Sequence, residues 1–204
     1  MKFPRKLLVD TNVPIVSNMI KYPGANSDID DKSILNCIEA IEYVRENNAL
    51  VLDSDDVIFN QYSERFSKDI QNRYGNLGAG DYFFLWVRDS RFSFPKEDRV
   101  AVSKIGDSYA EFPQNEELKN FDLSDRIFVA VANKHKDKPP ILQGTDSKWW
   151  GYKEIFETIG IKIIGMIEVK SSTGLAAKVS QNGAYVPPVN IIERFPFVVV
   201  KFKR

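Results

Sequence analysis

The sequence predicts an α/β fold with a mostly parallel central sheet and helices on both of its faces. Two observations carry this. Short apolar runs of strand length alternate with amphipathic stretches of helical period, and several of those runs stop abruptly at polar or acidic residues. The composition fits: 204 residues, 43% hydrophobic and 27% charged, describe a globular chain and not a disordered one.

The elements follow in order. Residues 6–9 (Lys-Leu-Leu-Val) read as a buried strand whose carboxyl end presents Asp10, Thr11 and Asn12, with Pro14 beyond. Ile34, Cys37, Ile38, Ile41 and Val44 recur at spacings of three and four and predict a helix over 34–46, stopped by Asn47-Asn48. Residues 49–52 form a second strand. Asp53-Ser54-Asp55-Asp56 then supplies N-cap chemistry for a helix that aligns Ile58, Tyr62 and Phe66 on one face. A glycine-rich break over 75–80 precedes a helical apolar segment at 82–87, and 99–102 is a short strand. Asp122-Leu123-Ser124-Asp125 caps a helix through Ile127, Val131 and Ala132. Ile141-Leu142 starts a strand entering Gly144-Thr145-Asp146, 152–158 is helical and 161–164 is the last strand of this body. Residues 166–204 differ in character, with Asn182-Gly183, Pro187-Pro188 and a terminal strand-prone run at 197–202. The expected organisation is therefore a domain over 1–165 and a β-containing C-terminal extension over 166–204.

Charge and rare residues narrow the chemistry. Lys plus Arg and Asp plus Glu are 28 each, so nucleic-acid binding through bulk positive charge is excluded. The extension holds six Lys/Arg against two Glu and the body 22 against 26, so the zero is a cancellation of +4 and −4. One cysteine, Cys37, excludes an intrachain disulfide and a thiolate zinc site, and one histidine, His135, excludes an imidazole-rich metal site. No apolar run has the ~20 residues of a membrane helix, and Asp10 interrupts the first apolar run too early for a signal peptide. A cytoplasmic protein without membrane contact is expected, its chemistry drawn from carboxylates, hydroxyls, amides and amines.

Three acids fall where open α/β sheets bind ligands, outside the carboxyl ends of strands or at a helix start: Asp10, Asp125 and Asp146. Asp125, or equally Asp122 or Ser124, can be explained as a helix cap, and Asp146 as a turn residue. Asp10 has no such reading, because an acid ending a buried strand gains little structurally. Carboxylates gathered at one edge repel one another and persist best around a hard divalent cation with oxygen ligands.

The order of these pieces resembles the PIN-domain nucleases over roughly residues 6–165. Leu7-Leu8-Val9-Asp10-Thr11-Asn12 resembles the family's first strand and first metal-binding acid. Asp125-Arg126-Ile127-Phe128-Val129-Ala130-Val131-Ala132 resembles its acid-led helix, and Leu142-Gln143-Gly144-Thr145-Asp146-Ser147-Lys148-Trp149 its threonine-plus-acid turn. The resemblance implies a three-layer α/β/α sandwich and Mg²⁺- or Mn²⁺-dependent hydrolysis of RNA, as in a toxin–antitoxin or phage-defence effector. It makes Asp10, Asp125 and Asp146 metal ligands and catalytic residues, supported by Thr11, Asn12 and Thr145, with Asp122 and Gln61 as secondary contacts. Two positions depart from the pattern. Gln61 stands where the family usually carries a further acid, with Glu64 one turn on, and Lys148 stands where relatives often place another acid. Lys148 can neutralise the cluster or hold a phosphate of RNA. These departures support an alternative, a catalytically inactive PIN-like module that binds RNA or a protein. A third class, another α/β metal-dependent phosphohydrolase, lacks the DxDx signature at Asp10-Thr11-Asn12.

Other features carry less. His135 reads as a solvated loop residue among Lys134, Lys136 and Lys138, and Cys37 as a core thiol. Trp149-Trp150 and the 82–86 segment can stack on bases, the latter being better explained as core. Gly78-Ala79-Gly80 lacks a P-loop's Lys-Ser/Thr and reads as a turn before a helix. The extension is expected to add a strand to a protein partner or to a second copy.

Overall fold

The computed structural model describes residues 3–21, 29–73 and 75–167; the strand expected at 197–202, like all of 168–204, lies outside them. Strand β1 (Leu8–Val9) runs parallel to β6 (Ile141–Gln143), with Leu8 opposite Ile141 and Val9 opposite Leu142. Strand β7 (Ile163–Gly165) extends that sheet in parallel on the far side of β6. Strands β2 (Leu52–Asp53) and β3 (Arg99–Val100) form a second parallel pair. One parallel bridge, Leu7 to Leu50, links the two pieces in the order β3-β2-β1-β6-β7. Strands β4 (Lys104–Ile105) and β5 (Ser108–Tyr109) make an antiparallel hairpin that turns at Gly106, whose φ of 57° suits a residue without a Cβ. The fold is thus mixed α/β with small, mostly parallel sheets. Leu7, Leu8, Val9, Val51, Leu52, Ile141 and Leu142 have no exposed surface, which explains their unbroken apolar runs.

Six α-helices are present among the described residues: α1 (Asn12–Ser17), α2 (Asp31–Glu46), α3 (Val57–Asn72), α4 (Ala79–Ser90), α5 (Arg126–Lys134) and α6 (Lys153–Thr158). Helices α1, α2 and α4 pack on one another, α3 touches α4 and α5, and α5 lies against β2 and β6. The face predicted for α3 is the buried one, since Ile58, Tyr62 and Phe66 are all in the core. No helix among the described residues is long and apolar enough to cross a membrane.

Several local expectations change. Helix α1 begins directly after Thr11 and has no counterpart among the predicted elements. Pro14 sits in the first turn, whose N–H groups have no intrahelical acceptor, so its missing donor does no harm. Gly80 belongs to α4 and not to a preceding turn. Asn18 Oδ1 accepts from the Gly80 and Asp81 N–H groups, and the buried Asp81 carboxylate accepts from Asn18, Arg73 and the Gly78 N–H. Trp149 is core, edge-on to Phe121 with ring centroids 5.0 Å apart, and offers no face for a base. Within the 82–86 segment Phe83 and Phe84 are buried as expected, but Tyr82 is 50% exposed. Met166 is buried, its N–H donating to Gln143 O and its carbonyl accepting from Asn36, so packing continues past residue 165.

His135 is also not a solvated loop residue. It is buried at the end of α5, Nδ1 accepting from the Asp137 N–H and Nε2 lying 3.9 Å from the buried Asp98 carboxylate. Lys6 Nζ reaches the other Asp98 oxygen at 2.5 Å. This cluster fastens the amino ends of β1 and β3 at the end of the sheet away from the acids. Lys6→Met leaves Asp98 buried without its cation, and a loss of roughly 3–5 kcal/mol is expected. Urea unfolding measures it; an unchanged midpoint would show that the pair carries no weight.

Candidate active site

The chain leaves β1 toward β2 on one side and later returns to β6 on the other, so the strand order reverses between β1 and β6, and the carboxyl ends at such a switch point are where sheets of this kind bind ligands. The Asp10 N–H donates to Leu142 O at 2.8 Å, which ties the two ends together. Beyond β6 the backbone of Gly144 passes so near Asn12 that a Cβ would meet the Asn12 backbone at 3.0 Å. Close approach, not a turn, explains this glycine, and it carries Thr145 and Asp146 toward the Asp10 loop.

Asp10 is only 3% exposed. One of its oxygens accepts from the Asn12 N–H at 2.7 Å, so it does have a local turn role, which the sequence reading did not give it. Burial, with the charges of Asp125 and Asp146 adding to it, raises Asp10 to about 7 against the pull of Asn12. Near neutral pH the group therefore holds a proton part of the time, as groups that exchange protons or charge do.

Asp125 occupies the N-cap position of α5, yet its side chain caps nothing. The turn chemistry is taken by Asp122, which accepts from both the N–H and the hydroxyl of Ser124. Asp125 is raised to about 6 by burial and by Asp122 and Asp146. Two donors oppose this weakly. Ser124 Oγ is 3.4 Å away, and the buried Trp149 indole N–H favours the ionised carboxylate without completing a well-formed hydrogen bond. The capping explanation thus falls away for Asp125, and Asp122 shapes the turn ahead of α5 without capping the helix itself. Asp146 keeps its turn role, accepting from the Lys148 N–H at 2.9 Å.

Gln61 joins the loops that bear the acids. Its Nε2 donates to Ser124 O at 2.8 Å and its Oε1 accepts from the Thr11 hydroxyl at 3.4 Å. One residue on, the buried Tyr62 hydroxyl donates to Val9 O and pins α3 to the end of β1. Lys148 Nζ lies 3.4 Å from Asp122, a contact that holds Asp122 below the usual carboxylate range after its Ser124 hydrogen bonds, while Asp122 and Asp146 raise the ammonium. Thr145 and Glu64 are exposed. Ser124, Trp149 and Tyr62 were not anticipated as parts of the site. Ser124 stands in the Asp-Leu-Ser-Asp motif, Trp149 signals only as a base-stacking candidate, and Tyr62 only as an apolar-face residue of its helix.

The donor set consists of hard oxygens with shared negative charge, which suits Mg²⁺ or Mn²⁺. Among the described residues, however, no three acid, histidine or cysteine side chains close into a group that could hold a metal ion. The acids are electrostatic neighbours, not a finished cage. No family model, curated protein or solved structure matches this chain.

Proposed function

We propose that the protein is a PIN-like, divalent-metal-dependent endoribonuclease in which the two parallel sheet pieces act as one sheet inside a three-layer α/β/α sandwich. The observation that supports it best is that Asp10 and Asp125 are both raised by burial and by a third acid, Asp146, at one end of the sheet. Asp10, Asp125 and Asp146 would hold Mg²⁺ or Mn²⁺, which when bound supplies positive charge for a phosphoryl oxygen and a more acidic water. The Asn12 N–H orients Asp10, and Thr11 and Ser124, bridged by Gln61, keep the Asp10 and Asp125 loops together. Lys148, exposed beside Asp122, offers an ammonium to a phosphate of the strand.

A second reading is an inactive module that binds RNA or a protein. The Lys148–Asp122 contact, the neutral Gln61 and the absence of a closed three-acid group among the described residues favour it. Titrating the protein with Mn²⁺ and following thermal unfolding, alongside cleavage of single-stranded RNA, separates the two. The nuclease reading expects a metal-dependent rise in Tm and cleavage that EDTA abolishes. RNA binding with neither would establish the module.

A further inference from the structure

The geometry points to Phe92 as a base-stacking platform for single-stranded RNA beside the acids; this rests on the RNA-directed reading above and specifies the form of RNA. Phe92 follows α4 in a 3₁₀ turn, Arg91–Ser93, and is 73% exposed, more than any other large hydrophobic side chain among the described residues. The ring is nevertheless held. The Arg91 guanidinium stacks on both Phe59 and Phe92, 3.8 and 4.0 Å from their centroids, and Arg99 lies 5.6 Å from the Phe92 ring. Both arginines are anchored in turn. Arg91 Nε and an Arg99 terminal nitrogen share the Asp56 carboxylate at 3.1 and 3.0 Å, Arg91 donates to Arg88 O, and Arg99 donates to Ser54 O. An aromatic ring is thus pre-positioned with cations behind it and a face open to solvent.

The location fits the same strand that would cross the acids. Asp10 lies three residues beyond Leu7, and Asp53 three beyond its bridge partner Leu50; Val100 pairs with Asp53. Arg99, on the edge strand β3, and Ser54, just beyond β2, hold the cluster and are therefore at the level of the carboxyl ends. Two strand spacings, on the order of 10 Å, separate this edge from Asp10. Two guanidiniums against the one carboxylate they share leave positive charge for a phosphate, and a base has the flat face that an aromatic ring accepts. One ring is too small a surface for a protein interface, and paired bases are not free to stack on it.

The test is binding of a fluorescein-labelled, mixed-sequence RNA 12-mer in EDTA, single-stranded and as a duplex, by anisotropy. Phe92→Ala is expected to weaken single-strand binding roughly five- to tenfold, Phe92→Trp to retain it, and the duplex to bind poorly. Because Phe92 is exposed, the Tm of Phe92→Ala should match the parent. Equal binding by Phe92→Ala, or no binding by the parent chain, overturns the platform. So does a change in oligomeric state on Phe92→Ala with RNA binding intact, which would make the ring a contact between copies. Failure of metal-dependent cleavage with the Phe92 effect intact overturns the nuclease reading alone.

Discussion

Asp10→Asn is expected to abolish metal-dependent cleavage and the Mn²⁺-induced rise in Tm, and at the same time to stabilise the metal-free protein above pH 7. Asp10 titrates at about 7 in the fold against an ordinary 3.8. Between those values the folded chain binds more protons than the unfolded chain, so stability falls as pH rises through that window and levels off above 7. Asp125, raised to about 6, adds a smaller fall that ends earlier. Three pH units at 1.36 kcal/mol each set a ceiling of about 4 kcal/mol for the charge at Asp10. Asparagine keeps the oxygen that accepts from the Asn12 N–H and removes the charge. For a chain of this size that ceiling corresponds to roughly 8–16 °C at pH 8, and the gain vanishes near pH 4. Thermal unfolding of both proteins from pH 4 to 8 measures it. Parallel curves would mean that Asp10 bears no unfavourable charge, and full cleavage by the variant would remove it from the chemistry.

Gly80→Ala should be among the most damaging single substitutions in the protein. A Cβ there would stand 1.9 Å from Pro14 O and 2.8 Å from Pro14 C, so backbone of α1 or α4 has to move. Moving it also disturbs the hydrogen bonds from the Gly80 and Asp81 N–H groups to Asn18 and the buried Asp81–Arg73 pair. Overpacking usually costs ~1–3 kcal/mol, and with a rigid carbonyl as the obstacle more than about 3 is expected. Gly151→Ala, where a Cβ meets nothing within 4 Å, is the matched control and should be near neutral. Comparable urea midpoints for the two variants would show that the α1–α4 approach relaxes freely.

The strands and the long helices were legible because their signal is local. A run such as Leu7-Leu8-Val9, or Ile58, Tyr62 and Phe66 at helical spacing, reports its own burial. Helix α1 was not, since the presence of Pro14 does not tell whether it sits inside a helix or in its first turn. The pairing of Asp10 with Asp146 followed from their places at strand ends. Within Asp-Leu-Ser-Asp, by contrast, the choice of cap depends on backbone angles, and only the structure assigns the turn to Asp122 and releases Asp125. His135 and Gln61 owe their roles to partners distant in the chain, Asp98 in one case and Thr11 and Ser124 in the other. No spacing rule connects those residues. The same holds for how tightly the three acids converge.

The single thiol has a practical bearing on all of these measurements. Cys37 has no exposed surface, and burial pushes its thiol up to about 12. Maleimides and iodoacetamides attack the thiolate, so at neutral pH the native cysteine stays unmodified while the fold is intact. A cysteine introduced at the exposed Thr145 or Leu123, beside the acids, would then be the one labelling position, with no need to engineer a cysteine-free background. A fluorophore placed there could follow metal and RNA arrival separately, and delayed labelling of Cys37 itself would time the opening of the core.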